Sequence, residues 1–261
     1  MSKTLILSDI HFCRSRSPNK SAKAFYDLVN GFDALVLNGD TTEEHSLLTL
    51  ESSKEQTDAL ISFASKEGIQ TSLICGNHDP VTSDIDHVWF CDESVLVFHG
   101  HAAFPGIAPW NWRSKYMRKS REEFLSVNGN GFDEQLNAVR QASFEAVSGK
   151  FKDHRPSLPH MLMLGMPAVF HILNSWRSYP KLVSDWADKY APSARYIVTG
   201  HTHHAGIWER NNRVIINTGY FGFPSHPRAV VLENNTITVH RLTSLNGNYS
   251  LGRVCASWNV R

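Results

Sequence analysis

Short motifs rich in aspartate, asparagine and histidine occur at five places along the sequence. Their side chains carry the oxygen and nitrogen atoms that suit divalent cations such as Mn²⁺, Fe²⁺, Co²⁺ and Zn²⁺. The motifs read Asp9-Ile10-His11, Gly39-Asp40, Gly76-Asn77-His78-Asp79, His99-Gly100-His101 and Gly200-His201-Thr202-His203. Together they supply enough ligands for two metal ions and leave one histidine over. The pattern therefore predicts a two-metal site with a spare imidazole for catalysis.

Length, charge and cysteine content narrow the class of protein. The chain has 261 residues, with 26 Lys and Arg against 25 Asp and Glu. This balance gives no reason to expect a stable nucleic-acid partner. The four cysteines form no CxxC pair, which is typical of a reducing compartment. The apolar run before the first motif is too short for a signal peptide, and no stretch is long enough to span a membrane. We therefore expect a cytoplasmic protein.

Alternating strands and helices must position the first four motifs. Buried strands are predicted over 5–7, 34–37, 72–75 and 95–98. Helical patterns follow from about Ser21 and over 59–64. Each of the four strands leads into a motif, and ligands bind at the carboxyl ends of strands in open α/β sheets. These strand ends predict one convergent site.

The pattern changes between about 102 and 192. Apolar residues at helical spacing over 132–146 and the apolar stretch 161–176 predict helices. Prolines at 156, 159, 167 and 180 predict that this segment is broken into pieces. We interpret 102–192 as a helical cap inserted into a single domain that covers 1–261.

Strands return after the helical segment. They are predicted over 195–198, 214–216, 229–232 and 236–239. Asn234-Asn235 fits the turn between the last two strands, and the first of the four leads into the fifth motif. We assign no function to the polar tail after Leu242.

The ordered motifs DxH, GD, GNHD, HGH and GHTH resemble those of the calcineurin-like metallophosphoesterase superfamily. The resemblance covers about residues 4–220 without the inserted helices. It implies an α/β fold, a four-layer α/β/β/α sandwich, here with an inserted helical cap. It also implies an enzyme that hydrolyses a phosphomonoester or phosphodiester with a metal-bridging hydroxide. Its partner would be a small-molecule phosphoester.

The same resemblance assigns roles to matching positions. The implied ligands are Asp9, His11 and His203 for one ion, Asn77, His99 and His201 for the other, and Asp40 as the bridge. His78 resembles the family's histidine that protonates the leaving oxygen. Glu43 lies where an acidic residue orients that histidine in related phosphatases. Manganese is the expected metal, and iron, zinc, cobalt and nickel are compatible with these ligands.

Substrate contacts are less determined by the sequence. Arg14 and Arg16 follow the first motif and could hold a phosphate, although a solvated loop explains them equally well. His101 could line the pocket wall. Tyr220 could stack on a substrate group, with packing as the alternative. We interpret the other histidines, including His45, as ordinary surface or core residues.

Comparison within the superfamily leaves alternatives open. Glu43-Glu44 stands where protein serine/threonine phosphatases carry an Asp-Arg pair, which argues against phosphoprotein substrates. The layout resembles bacterial UDP-diacylglucosamine pyrophosphohydrolases, whose inserted helices cover acyl chains. That subfamily commonly has Arg where this chain has His78, so the lipid pyrophosphohydrolase is the second hypothesis. It would allow peripheral membrane contact through the cap. A non-catalytic metal-binding scaffold is the third, and the oligomeric state stays open.

Overall fold

Two β-sheets pack face to face, and helices cover both outer faces. The computed structural model describes residues 2–14, 17–148, 158–222 and 225–260, with the backbone alone at 148 and 158–168. The strands are β1 (Thr4–Leu7), β2 (Ala34–Asn38), β3 (Gln70–Ile74), β4 (His87–Phe90), β5 (Val95–Phe98), β6 (Tyr196–Thr199), β7 (Gly206–Arg210), β8 (Arg213–Asn217), β9 (Arg228–Glu233), β10 (Thr236–Leu245) and β11 (Asn248–Asn259). The α-helices are α1 (Tyr26–Val29), α2 (Leu50–Lys66), α3 (Ser114–Asn128), α4 (Phe132–Ser148) and α5 (Leu158–Tyr190).

The parallel strands of both sheets bring the motifs together. The first sheet has the order β11-β10-β9-β1-β2-β3, in which β1, β2 and β3 are parallel. The second has the order β4-β5-β6-β8-β7, in which β5, β6 and β8 are parallel. Parallel strands present their carboxyl ends at one edge of a sheet, so the loops that follow them converge.

Alternation along β1 explains why the first sheet is buried on both faces. Leu5 and Leu7 pack with Leu28 of α1 and Leu60 of α2. Ile6 between them points the other way, into a core shared with strands of the second sheet. Successive side chains of a strand face opposite sides. An uninterrupted apolar run therefore contacts a helical layer and the other sheet at once.

The outer face of the second sheet is covered by the long helices. Phe98 of β5 and Ile197 of β6 share a core with Val139 of α4 and with Tyr179 and Val183 of α5. The layers are therefore helix, sheet, sheet and helix. This is the α/β/β/α sandwich expected from the sequence.

Some elements differ from the sequence prediction. The pattern did not predict β4 and β7, which are edge strands with partly exposed side chains. The tail after Leu242 completes β10 and forms β11, a twelve-residue strand. The Asn234-Asn235 turn is confirmed, and both residues have positive φ, 49° and 58°. Two-residue hairpin turns of type I′ require positive φ at both positions and favour asparagine.

The prediction that prolines break the helical segment was wrong within 158–190. The helix α5 runs through Pro159, Pro167 and Pro180 over 33 residues. Pro159 lies in the first turn, where its missing N–H costs nothing. An interior proline costs about 3 kcal/mol or more. Burial of the C-terminal half of α5 against the second sheet offsets that cost. Pro156 lies outside the described residues.

Candidate metal centre

The side chains of the five motifs lie at the edge where the parallel strands of both sheets end. Asp9 and His11 follow β1, Asp40 follows β2 and Asn77 follows β3, whereas His99 follows β5 and His201 and His203 follow β6. Most are buried, with relative exposures from 0% for Asp9 to 6% for Asn77. His203 is the exception, with 29% of its side chain exposed.

One cluster consists of Asp9, His11, Asp40 and His203. Each offers one ligand atom, and these atoms all lie within 4.8 Å of one another. His11 Nε2 lies 3.1 Å from His203 Nε2 and 3.5 Å from Asp40 Oδ2. His203 Nε2 lies 3.4 Å from Asp9 Oδ1. Burial lowers the pKa of His11 to about 4, so its ring is neutral and keeps a free lone pair. Two carboxylates and two imidazoles form a donor set that suits a divalent cation.

A second cluster consists of Asp40, His99 and His201, with Asn77 Oδ1 2.7 Å from His201 Nδ1. His99 Nδ1 lies 3.0 Å from the Asn38 carbonyl oxygen, and a carbonyl accepts, so this nitrogen donates. His99 Nε2 is buried and has no hydrogen-bond partner among the described residues, but it lies 3.4 Å from Asp40 Oδ2. A buried, unpartnered nitrogen beside a carboxylate is the arrangement that a metal ion would satisfy.

Asp40 belongs to both clusters. Its Oδ2 atom is the one within 3.5 Å of His11 and 3.4 Å of His99. Its Oδ1 accepts a hydrogen bond from the backbone N–H of His78 at 2.8 Å. Burial alone would raise the pKa of Asp40, but the surrounding histidines, His99 first, hold it well below the ordinary value. The carboxylate is therefore ionised and available to two cations.

The backbone at this edge is strained in a systematic way. Positive φ values between 48° and 71° occur at Asp9, His11, Asp40, His201 and His203. Such values are uncommon outside glycine and cluster at functional sites. Crowding at the same edge explains why glycines occur in the motifs. A Cβ atom at Gly76 would collide with the Asp40 carboxylate, and one at Gly200 with the Asp9 carboxylate. Only glycine leaves room for these side chains.

Asp79 fixes the loops rather than facing the clusters. Its carboxylate accepts from four backbone N–H groups, those of Asp40 (2.9 Å), Thr41 (2.8 Å), Thr42 (3.1 Å) and Gly76 (2.7 Å). Asp79 thereby ties the loop after β2 to the loop after β3.

His78 and Glu43 form a pair beside the clusters. His78 Nδ1 donates to Glu43 Oε1 at 2.8 Å, and Glu43 Oε2 lies 3.3 Å from His11 Nδ1. Burial alone would lower the pKa of His78, but the negative charges of Glu43 and Asp40 outweigh it and raise the pKa. The His78 side chain is 17% exposed, so its ring can reach a bound molecule.

A cavity of about 370 Å³ opens onto both clusters. Its polar side includes Asp40, Asn77, His78, His201 and His203. Facing them is an apolar surface from the helical segment, which we call the α5 wall and define as Val169, Ile172, Leu173 and Trp176. Trp176 is fixed by a hydrogen bond from Nε1 to the Thr202 carbonyl oxygen at 2.8 Å. The cavity therefore has a polar half and an apolar half.

The residues expected to contact substrate are distributed unevenly. Arg14 and Tyr220 line the cavity. Arg14 Nε lies 3.4 Å from Glu43 Oε2, and Tyr220 stacks on His203 with ring centroids 4.4 Å apart. His101 does not line the cavity, because it is 4% exposed and packs 5.3 Å from His99. Arg16 lies outside the described residues.

Sequence reasoning missed two contributors. The α5 wall was not separated from the rest of the apolar helix, although 169, 172, 173 and 176 have helical spacing that could have indicated one face. His45 was grouped with ordinary histidines, yet it contacts His78 directly. Nothing in the local sequence marks His45, because its position depends on how two loops meet.

Comparison with known proteins agrees with this geometry. The family model described as the calcineurin-like phosphoesterase superfamily domain matches residues 3–236. The chain therefore belongs to that superfamily, as its motifs suggested, and is a metal-dependent phosphoesterase. No curated protein matches the sequence. Among the residues that the structure describes, no helix is long and apolar enough to cross a membrane.

Solved structures with a similar fold are distant in sequence. Vps29 from Cryptosporidium parvum is 11% identical with a TM-score of 0.49, covering 99% of this chain and 98% of that chain. The phosphoesterase Yfce from E. coli is 14% identical with a TM-score of 0.46, covering 99% and 100%. A dimetal phosphatase from Danio rerio is 10% identical with a TM-score of 0.47, covering 92% and 95%.

Proposed function

We propose that the protein hydrolyses a small-molecule phosphomonoester or phosphodiester with two divalent metal ions. The observation that carries the proposal is Asp40 Oδ2, which lies within 3.5 Å of a histidine nitrogen in each cluster. The proposed ligands are Asp9, His11 and His203 for one ion, Asn77, His99 and His201 for the other, and Asp40 for both. Two bound ions would supply Lewis acidity, which activates water and neutralises charge on the phosphoryl oxygens.

The remaining polar residues of the cavity have separate roles in this proposal. His78 Nδ1 is engaged with Glu43, so Nε2 is the nitrogen left to donate a proton. We assign it to the oxygen of the leaving group as the P–O bond breaks. Glu43 orients His78 and also supports His11. Arg14 lines the cavity, and we assign its guanidinium to a phosphate oxygen of the substrate.

The ligand set favours borderline metals. Carboxylate, amide and imidazole donors suit manganese, which we propose first, and also iron, zinc, cobalt and nickel. Four cysteines without a disulfide support a cytoplasmic location. We also propose that the helices between β5 and β6 are an insertion, over about 102–192, into one domain.

The test is hydrolysis after defined metal loading. Protein stripped with a chelator and reloaded with Mn²⁺ would be assayed with p-nitrophenyl phosphate and with bis-p-nitrophenyl phosphate. We expect two metal ions per chain by mass spectrometry, and turnover of at least one ester that is lost on stripping. A single ion per chain, or turnover that survives stripping, would contradict the proposal. Preference between the esters separates monoesterase from diesterase activity.

The α5 wall favours a second candidate, hydrolysis of a nucleotide-linked lipid pyrophosphate. Val169 and Leu173 are 52% and 54% exposed although they are apolar, and an acyl chain would cover them. This second function would bring the helical cap to a membrane surface. It is tested by comparing such a lipid with the same nucleotide pyrophosphate without acyl chains. Equal turnover of the two would remove this candidate.

A further inference from the structure

His45 covers one face of the His78 ring. The two ring centroids lie 4.2 Å apart with an interplanar angle of 24°, which is a stacked arrangement. Glu43 holds the Nδ1 corner of the same ring, and His11 meets it edge-on at 4.8 Å. A hydrogen bond at one corner leaves the ring free to tilt about that corner. The stacked ring of His45 opposes such a tilt.

His45 is itself held in one orientation. Its Nε2 lies 2.8 Å from the Asn77 backbone oxygen. A carbonyl oxygen only accepts, so Nε2 carries the hydrogen and donates. The hydrogen bond fixes both the tautomer and the plane of the His45 ring. A ring fixed in this way is a rigid surface for its neighbour.

The loops that carry these rings are joined at further points. The backbone N–H of Glu44 donates to the His78 carbonyl oxygen at 2.9 Å. The Glu44 carboxylate accepts from Thr82 Oγ1 at 3.0 Å and from the Val81 N–H at 3.3 Å. Glu44 thus attaches the loop after β2 to the loop after β3 through its backbone and through its side chain. The contact between His45 and His78 belongs to this shared structure.

We propose that His45 is a positioning residue, whose ring holds the His78 imidazole so that Nε2–H faces the leaving oxygen. This inference rests on the proposed function, in which His78 gives its Nε2 proton to that oxygen. His45 is not among the residues that line the cavity. It therefore acts through His78 and not by touching the substrate.

The test compares two substrates that differ in their need for a proton. The p-nitrophenolate group departs readily without protonation, whereas the more basic phenolate depends on the general acid. General acid catalysis contributes about 10²- to 10⁴-fold, and a misaligned donor forfeits part of it. For His45→Ala we expect turnover of the phenyl ester to fall about tenfold more than that of the p-nitrophenyl ester. Metal content should stay at two ions per chain.

Two variants separate positioning from a general structural role. His45→Asn keeps a donor for the Asn77 carbonyl oxygen but has no ring to stack, and it should be as impaired on the phenyl ester as His45→Ala. His87→Ala removes another part-buried histidine, on β4 and in contact with Phe132, and should leave the ratio of the two turnovers unchanged. An equal fall on both esters in His45→Ala, or no fall, would overturn the inference. So would a His45→Asn variant with wild-type turnover of the phenyl ester.

A spectroscopic measurement tests the positioning role of His45 independently of the proposed function. If the wild-type protein hydrolyses neither ester, the proposed function fails, and ¹⁵N NMR of the histidine rings decides the positioning role. The Nδ1–H signal of His78, hydrogen-bonded to Glu43, should be sharp in wild type and in His87→Ala. It should broaden or vanish in His45→Ala. An unchanged signal in His45→Ala would refute the positioning role.

Discussion

The two halves of the cavity are built in opposite ways. The metal-facing half consists of polar side chains that follow strands of both sheets, are mostly buried, and stand in part on left-handed backbone. The α5 wall comes from one helix, and its apolar side chains at 169 and 173 are about half exposed. The surroundings constrain the polar side chains of the first half. The exposed side chains at 169 and 173 can be substituted with less effect on packing. We therefore expect that substitutions can alter the reaction and the choice of substrate separately.

The largest expected effect is that of Asp40→Asn, which should impair metal binding in the polar half of the cavity. A neutral amide cannot serve two cations, so metal content should fall below two ions per chain. Turnover should fall at least about 100-fold, because even changes at outer-shell partners cost about 10- to 100-fold. The stabilisation by added Mn²⁺ in thermal unfolding should shrink as well. Asp58→Asn, at an exposed position of α2, is the charge-matched control. Two ions retained in Asp40→Asn would mean that the bridging assignment must be dropped.

Removing the proton donor should separate catalysis from metal binding. His78→Ala is expected to lower turnover by about 10²- to 10⁴-fold with both metal ions still bound. The measurements are kcat for the phenyl ester, whose leaving group needs the proton, and metal content on the same preparation. Loss of an ion in His78→Ala would instead place this residue among those that hold the metals.

The Glu43 carboxylate should set the pH range over which His78 works. Its negative charge raises the pKa of His78, and a general acid must be protonated to act. Glu43→Gln therefore lowers that pKa and should move the alkaline limb of the kcat profile to lower pH. We also expect turnover to fall about tenfold, as for other outer-shell changes. An unchanged profile and turnover would show that Glu43 has no such role.

A polar substitution in the α5 wall tests whether the apolar half of the cavity binds substrate. Leu173→Asn should lower kcat/KM for a phosphoester with a long alkyl chain by about tenfold, since burying a leucine contributes about 1.5–3 kcal/mol and 1.4 kcal/mol is tenfold. The effect on p-nitrophenyl phosphate should be less than about twofold on the same scale. Phe170→Asn, on the same helix but off the cavity, is the control. Equal losses in both variants would refute the apolar subsite.

The smallest effect is expected far from the cavity, where the helical segment meets the sheet through Asp86 and Arg140. Burial raises the pKa of Asp86 to about 6 despite the positive charge of Arg140. The folded chain then binds more protons than the unfolded chain between about pH 4 and 6, so stability falls as pH rises through that window.

Asp86→Asn should raise the free energy of unfolding by about 1 kcal/mol at pH 7. The gain should disappear near pH 4. Denaturant unfolding at both pH values measures this, and a loss of stability at pH 7 would show that the pair with Arg140 dominates.

The sequence predicts the parts of the fold that are buried on both faces. The apolar runs of β1, β2 and β5 were visible because each of these strands contacts a helical layer and the other sheet. The edge strands β4 and β7 were missed because one-sided, partly exposed strands give a weaker pattern. The continuity of α5 was missed because tertiary packing outweighs the cost of its prolines.

The sequence also predicts some features of the candidate site and not others. Its residues could be read from the sequence because the motifs follow the strands directly. The left-handed backbone at Asp9 and Asp40 could not, because φ depends on which neighbours crowd the turn. The His45 contact was equally invisible, since it joins two loops that are separated by more than thirty residues.

The span of chain between the proposed ligands has a consequence for how the protein assembles. His11 and His203, in one cluster, are 192 positions apart, and the two belong to different sheets. A metal ion between them would act as a cross-link that closes a very long loop. A growing chain that has not yet made β6 lacks His201 and His203, one of the four proposed ligands of each ion. We therefore expect each metal site to be completed late in biogenesis, when the ion would lock a sandwich that has already formed.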